Sequence, residues 1–318
     1  MQNNIKTTIY ATRWFRVVAI LITIYIGVFL YLRSNAPAPE ISLNFMPEVN
    51  LTAEDVIMIV APHNDDEVLA AGGLIQKAKE AKAKIVVVIV TNGDGHRFTT
   101  VEEFKKLYPA PDDYVKSGYM RQDESKAALA ILGVQSEDLI FLGYPDRGIK
   151  SLYGKNWDNP YESPYTHLNS SEYSNSYQPN VLYTGNNLLN NLEEIMIKYN
   201  PTIIISSSRF DRHGDHQAVA EFVSRAKNNS MIRATIFNYL VHFHNYPSDA
   251  GFHKNLSILP PLKLTSIPGI WYKINLSNDE IDRKEKAIDQ YGSQMKDPFL
   301  RRLLESFIRK NELFIKGI

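Results

Sequence analysis

Two short polar clusters in this chain pair histidines with carboxylates at a spacing that suits a bound divalent cation. The first is Pro62-His63-Asn64-Asp65-Asp66-Glu67, and the second is His213-Gly214-Asp215-His216. Imidazole and carboxylate are common ligands of a catalytic metal, which takes three protein donors and keeps a position open for water or substrate. Each cluster alone is a weak signal. Adjacent aspartates at a strand end also serve as helix N-caps, and a lone loop histidine is more often a surface residue than a ligand. Their placement joins them, because each follows an apolar, β-like run: VIMIV (56–60) and TIIISSS (202–208). The carboxyl ends of parallel strands share one edge, where ligands bind. The clusters can therefore meet although about 150 residues separate them.

The elements that must hold them are legible as uninterrupted Val/Ile runs alternating with helical patterns. KIVVVIV (84–90), LIFLGY (139–144) and a run near 235–241 read as further strands. Helical spacing appears at about 67–81, 120–132, 188–199 and 216–227. This alternation predicts an α/β fold, doubly wound around a mainly parallel sheet covered on both faces. From about Asp279 the chain reads as two charged amphipathic helices. Residues 151–180 break the pattern with Tyr153, Trp157, Tyr161, Tyr165, Tyr173 and Tyr177 among Asn, Ser and Pro. So long a loop inside a compact domain is functional or disordered. Its aromatic faces suit stacking against a sugar ring, which makes it a candidate border of the catalytic mouth.

Composition narrows the partners. Thirty-five basic residues balance thirty-five acidic ones, so no basic excess exists to grip nucleic acid. No cysteine is present, which excludes disulfides, a thiol nucleophile and Cys-type metal sites. Val17 to Leu32 form an uncharged apolar run, preceded by Lys6, Arg13 and Arg16 and followed closely only by Arg33. The run is nearly long enough to span a bilayer, and flanking Trp14 and arginine stems extend it. A cleaved signal peptide fits less well, because Pro37 and Pro39 directly follow the small residues Ala36 and Ala38. The expected organisation is a cytoplasmic stub over 1–16 and a single-pass signal anchor over 17–33. A proline-containing spacer over 34–50 and a catalytic domain over 51–318 follow. The positive-inside rule puts that domain on the exported, periplasmic or extracellular side.

PHNDDE followed by the helical VLAAGGLI, and then HGDH, resembles the PIG-L / LmbE-like family of zinc-dependent N-deacetylases. TNGDG (91–95), Arg121 and Glu124 on one helix, FLGYPD (141–146) and KAIDQYGSQ (286–294) support the likeness, which extends over roughly 54–295. Asn64 and Gly214 stand where the family usually has proline, a departure that touches loop rigidity. The resemblance implies a Rossmann-like, three-layer domain that removes an N-acyl group, N-acetyl above all, from an amino sugar, glycan or glycolipid. It implies His63, Asp66 and His216 as zinc ligands, Asp65 as general base and His213 as the group that steadies the oxyanion or protonates the leaving amine. The same donor set could take ferrous iron, but amide hydrolysis needs no redox change, which favours zinc. Asp215 would orient a histidine or simply shape a turn. Arg121 would bind substrate hydroxyls or pair with Glu124 or Asp123 on the helix surface. Asp146 would bind sugar or shape the YPD turn. Two other functions remain open on these residues: a zinc amidase acting on a non-sugar or thiol-conjugate amide, and a non-catalytic, membrane-tethered sugar-binding protein. The intact pair of aspartates and the three motif histidines argue against the second. A nucleotide-binding loop is excluded, since Ala71-Gly72-Gly73 lies inside a helix and forms no G-x-G-x-x-G turn. Oligomeric state has no signature in the sequence.

Overall fold

The computed structural model describes residues 43–317, together with Val18 and residues 21–26, which are helical. Among the described residues no helix is long and apolar enough to cross a membrane. The stub over 1–16, most of the expected anchor over 17–33 and the first half of the spacer lie outside them.

The unit beginning at Leu43 is built on one seven-stranded sheet, in the order β3-β2-β1-β4-β5-β7-β6. Strands β1 (Val56–Ala61), β2 (Lys84–Thr91), β3 (Leu139–Tyr144), β4 (Ile203–Ser207) and β5 (Thr235–Tyr239) run parallel. Alternate residues of each strand enter two separate cores. Ile57, Ile59, Val87 and Ile89 face one, while Met58, Val60, Val86 and Val88 face the other. That two-sided burial is why these strands read as unbroken apolar runs. Helices α1 (Asp66–Glu80) and α3 (Pro111–Ile131) cover the first face, and α5 (Gly185–Tyr199) and α6 (Gly214–Asn229) the second. The result is the expected three-layer α/β architecture.

The C-terminal third differs from expectation. Two antiparallel strands, β6 (Ile270–Asn275) and β7 (Asn311–Lys316), extend the sheet beyond β5. Three helices, α7 (Asn278–Ile288), α8 (Gly292–Met295) and α9 (Pro298–Glu305), stand where two were predicted. A buried ion pair locks this part to the helix behind the first polar cluster. Lys284 Nζ donates to Glu312 Oε1 at 2.6 Å and to Leu69 O at 2.8 Å. The Glu312 carboxylate in turn accepts the amides of Gly73 and Leu74 at 2.6 and 2.8 Å. A Cβ on Gly73 would meet Leu276 Cδ2 at 2.2 Å, so a larger residue there would have to displace that side chain.

Two helices were under-read. α3 starts at Pro111 rather than near residue 120, with Asp113 accepting the Ala110 amide at 2.8 Å. A short helix, α2 (Arg97–Phe104), is capped by His96, whose ring accepts from the Thr99 amide.

The segment over 151–180 is ordered, and much of it is core. Tyr173 is fully buried. Trp157 stacks on Phe222 of α6, with ring centroids 5.8 Å apart and planes 9° from parallel, and Arg225 covers it. Tyr153 packs edge-on against the same Phe222. The expectation that Trp157 offers a flat face to a sugar is therefore corrected: that face is already occupied by the fold.

Candidate active site

The sheet order reverses between β1 and β4, because chain order runs outward from β1 to β3 on one side and from β4 to β5 on the other. A crevice opens at such a switch point beyond the strands' carboxyl ends. Both polar clusters lie there, one after each of these strands.

Asp65 and Asp66 are not spent on capping. Asp65 occupies the N-cap position of α1 without a side-chain cap bond, and it holds φ at 116°, a strained value for a residue with a side chain. Its amide donates to Glu67 Oε2 at 2.9 Å, and Gln294 donates to its Oδ2. Glu67 is itself held by Ser125 and Tyr291, each at 2.8 Å from Oε1. Such strain persists only where surrounding bonds over-determine it, and here four residues do so.

Asp66 Oδ2 lies 3.3 Å from His63 Nδ1 and 3.1 Å from His216 Nε2. The opposite ring nitrogens also face carboxylates. His63 Nε2 is 3.2 Å from Asp146 Oδ1 and 3.3 Å from Asp215 Oδ2, and His216 Nδ1 is 3.1 Å from Asp211 Oδ2. A neutral imidazole carries one N–H. With that proton directed to Asp146 and Asp215, and to Asp211, the remaining ring nitrogens, His63 Nδ1 and His216 Nε2, both lie close to the same oxygen of Asp66. His216 Nε2, although close to it, has no hydrogen-bond partner, and Asp66 Oδ1 has none either. His63, Asp66 and His216 would hold a cation here, and ligand atoms lie within 4.8 Å of one another in three overlapping sets among the described residues: His63, His213 and His216; Asp66, His216 and His242; and His63, Asp146 and Asp215. The two distances to Asp66 Oδ2 match the edge of about 3.3 Å that tetrahedral ligands have around zinc at about 2.0–2.1 Å. The carboxylate behind each ligating histidine is the usual arrangement that fixes the ring and its tautomer.

Electrostatics follow from burial and close charges. Burial, with Asp66 beside it, pushes the Asp65 carboxyl up to about 8. Burial opposes a charge on His216, but Asp66 and Asp211 outweigh it and raise the ring to about 9. Burial and the neighbouring His63 and His216 lower His213 to about 3. A cation at the site would favour the neutral, ligating form of His63 and His216.

His213 caps α6, its Nδ1 accepting the Asp215 amide at 3.3 Å, and its ring sits edge-on to His63 with centroids 4.7 Å apart. Asp215 also accepts the amides of Arg147 at 2.6 Å and Ile149 at 3.1 Å, so it orients a histidine and shapes a turn at once. Asp146 does both as well, since its Oδ2 accepts the Gly95 amide at 3.0 Å. Arg121 corrects one of its two readings, the surface ion pair, and it lines the pocket over the cluster. It is buried and donates to Gly93 O and Asn64 O, each at 2.8 Å, instead of pairing with Glu124 or Asp123. Its guanidinium joins the loop after β2 to the loop after β1. A pocket of about 170 Å³ opens on the cluster, lined by His63, Asp65, Arg121, His213 and His242, with Leu300 and Leu303 as its apolar part.

Asp211, Gln294 and His242 were not identified from sequence. Asp211 had a signal, a carboxylate five residues before His216. His242 had none, since neither it nor His244 two residues on belongs to either cluster.

With the site described, the class of protein follows. The family described as GlcNAc-PI de-N-acetylase, PIG-L, matches residues 58–227, over half of the chain. The chain belongs to that family and is a hydrolytic N-deacetylase. Among solved structures it is similar to the A40926 pseudoaglycone deacetylase Dbv21, at 16% identity over 83% of this chain and 97% of that one, with a TM-score of 0.51. It is also similar to a triple mutant of a deacetylase of the teicoplanin biosynthetic pathway, at 15% identity over 82% and 96%, again with a TM-score of 0.51. The N,N'-diacetylchitobiose deacetylase from Pyrococcus horikoshii aligns at 16% identity over 82% and 83%, with a TM-score of 0.49. At these identities the likeness bears on the fold. No curated protein matches the chain.

Proposed function

We propose that this chain is a zinc-dependent hydrolase that removes an N-acetyl group from an amino sugar, free or carried on a glycan or glycolipid. The observation that carries this reading is the convergence of His63 Nδ1 and His216 Nε2 on Asp66 Oδ2, next to the strained Asp65. His63, Asp66 and His216 would hold the metal. When bound there, zinc supplies Lewis acidity, which acidifies water and polarises an amide carbonyl. Asp65 takes the proton from the attacking water as its oxygen bonds to the carbonyl carbon. A carboxyl raised toward neutrality suits that task. His213, across the pocket, donates to the developing oxyanion. As the C–N bond breaks, the nitrogen leaves with a proton returned from the site, and the acid departs as acetate. Asp146 and Asp215 hold His63 in register, and Asp211 holds His216.

The amino-sugar assignment rests on the family's description and on the pocket. Polar groups surround most of it, and Leu300 and Leu303 add an apolar wall. A sugar ring has the same division into polar rim and apolar face. We also propose that residues 17–33 are a single-pass signal anchor, with the catalytic unit on the exported side. The support is the uncharged run itself and the excess of basic residues before it. A reporter fused after Ile318 should then work only outside the cytoplasm, and cytoplasmic activity would reverse the orientation.

The test of the reaction is metal analysis of the purified full chain together with an acetate-release screen. We expect about one zinc per chain, loss of activity with a chelator, and release from N-acetylated sugars. Release from non-sugar amides alone would replace the amino-sugar assignment.

A further inference from the structure

We propose that His242 is a third imidazole for the cation of this site, taking its place beside Asp66 and His216. The inference rests on the metal-dependent reading above. His242 lies outside both sequence clusters, three residues beyond the end of β5, yet its ring stands 4.9 Å from that of His216, centroid to centroid. Asp66, His216 and His242 each offer a ligand atom within 4.8 Å of the others.

Three observations separate His242 from a bystander. Its ring makes no hydrogen bond among the described residues, while it lines the catalytic pocket, so both nitrogens are available. His213, by contrast, has already used Nδ1 on the Asp215 amide. The backbone of His242 is fixed by the carboxylate that also fixes a ligand. Asp211 accepts the His242 amide at 3.1 Å from each oxygen and the Val241 amide at 2.9 Å, while its Oδ2 holds His216 Nδ1 at 3.1 Å. One buried aspartate thus positions two imidazoles, each with a ligand atom within 4.8 Å of Asp66.

The consequence concerns which metal works. A catalytic zinc site ordinarily has three protein ligands and an open position, and four protein donors in a tetrahedron would close it. With His242 bound, hydrolysis needs a metal state of five or more donors. Imidazole and carboxylate also suit cobalt, iron and nickel.

The experiment titrates the metal-depleted full chain with Co2+ and records the visible absorption band and the dissociation constant. It compares wild type with His242→Ala, His242→Gln and His63→Ala. We expect His242→Ala and His242→Gln to shift the band and weaken Co2+ binding by about 10-fold or more. A band and an affinity unchanged from wild type in both His242 variants would overturn the third imidazole, even if KM rose, because His242 would then touch only substrate. Wild-type binding that disappears in His63→Ala and persists unaltered in the His242 variants would sink this inference alone. No Co2+ binding in wild type would sink it together with the metal-dependent reading.

Discussion

The phenol of Tyr173 donates to Asp94 Oδ2 at 2.7 Å, and both residues are buried. This bond ties the Tyr-, Asn- and Ser-rich segment to the site. Asp94 Oδ1 accepts the amide of Asp146 at 3.2 Å, and the Asp146 carboxylate faces His63 Nε2 at 3.2 Å. Burial, with the nearby Asp146, raises Asp94 to about 6, and the phenol opposes that rise. Gly118 of α3 makes the bond possible, since a Cβ there would lie 2.2 Å from the phenol oxygen.

Tyr173→Phe removes the donor and leaves a buried carboxylate without it. We expect a loss of about 1–3 kcal/mol in stability. Because Asp94, which holds the Asp146 amide, loses its own donor, zinc retention should weaken as well. Urea unfolding and a zinc-competition titration measure the two effects. Unchanged values in both would mean that the bond carries neither stability nor alignment.

How much of this was legible in the sequence depends on how local each signal is. Strands β1 to β5 announce themselves because both of their faces are buried, so Val and Ile run unbroken. The pair of clusters was legible because both follow such strands. Strands β6 and β7 were not: Trp271, Tyr272 and Lys273 alternate with no sustained apolar run, and their pairing is antiparallel across 35 intervening residues of helix and loop. The segment over 151–180 lacks periodicity, which says nothing about whether tertiary packing buries it. Tyr173 is a core residue in irregular backbone, and the half-buried Trp157 packs against the core. His242 enters the site only through tertiary packing, whereas Asp211 stands five residues before His216 and Gln294 ends the KAIDQYGSQ segment.

Asp65→Asn separates proton transfer from metal binding. Asp65 is not among the donors converging between His63 and His216, and Gln294 can still bond the amide oxygen of asparagine. Zinc content should stay near that of wild type, while kcat falls about 10²–10⁴-fold. Metal analysis and initial rates on the best substrate decide the matter. Near wild-type turnover would remove Asp65 from the mechanism.

Asp211→Asn tests the carboxylate that sequence did not reveal. The asparagine keeps the shape and one oxygen for the Val241 and His242 amides, but it removes the charge facing His216 Nδ1. Outer groups of this kind typically contribute about 10–100-fold to metal affinity. We expect a loss in that range with the fold intact by circular dichroism. Unchanged zinc affinity would show that His216 needs no partner at Nδ1.

Trp157→Ala distinguishes a structural role for the 151–180 segment from a substrate-binding one. Trp157 is half-buried between Phe222 and Arg225, and a Cβ on Gly185 would meet its ring at 2.7 Å. It is absent from the residues lining the catalytic pocket. Removing so large a packed side chain leaves a void beside α6, the helix that carries His216. The expected cost is about 3 kcal/mol, the lower part of the range for aromatic-to-alanine changes because one side is open to water. Below its unfolding temperature the variant should keep KM for an N-acetylated sugar within about twofold, a change worth under half a kcal/mol. Thermal unfolding and steady-state kinetics on one preparation test both halves. A large rise in KM at unchanged stability would return Trp157 to the substrate surface and overturn the packing account.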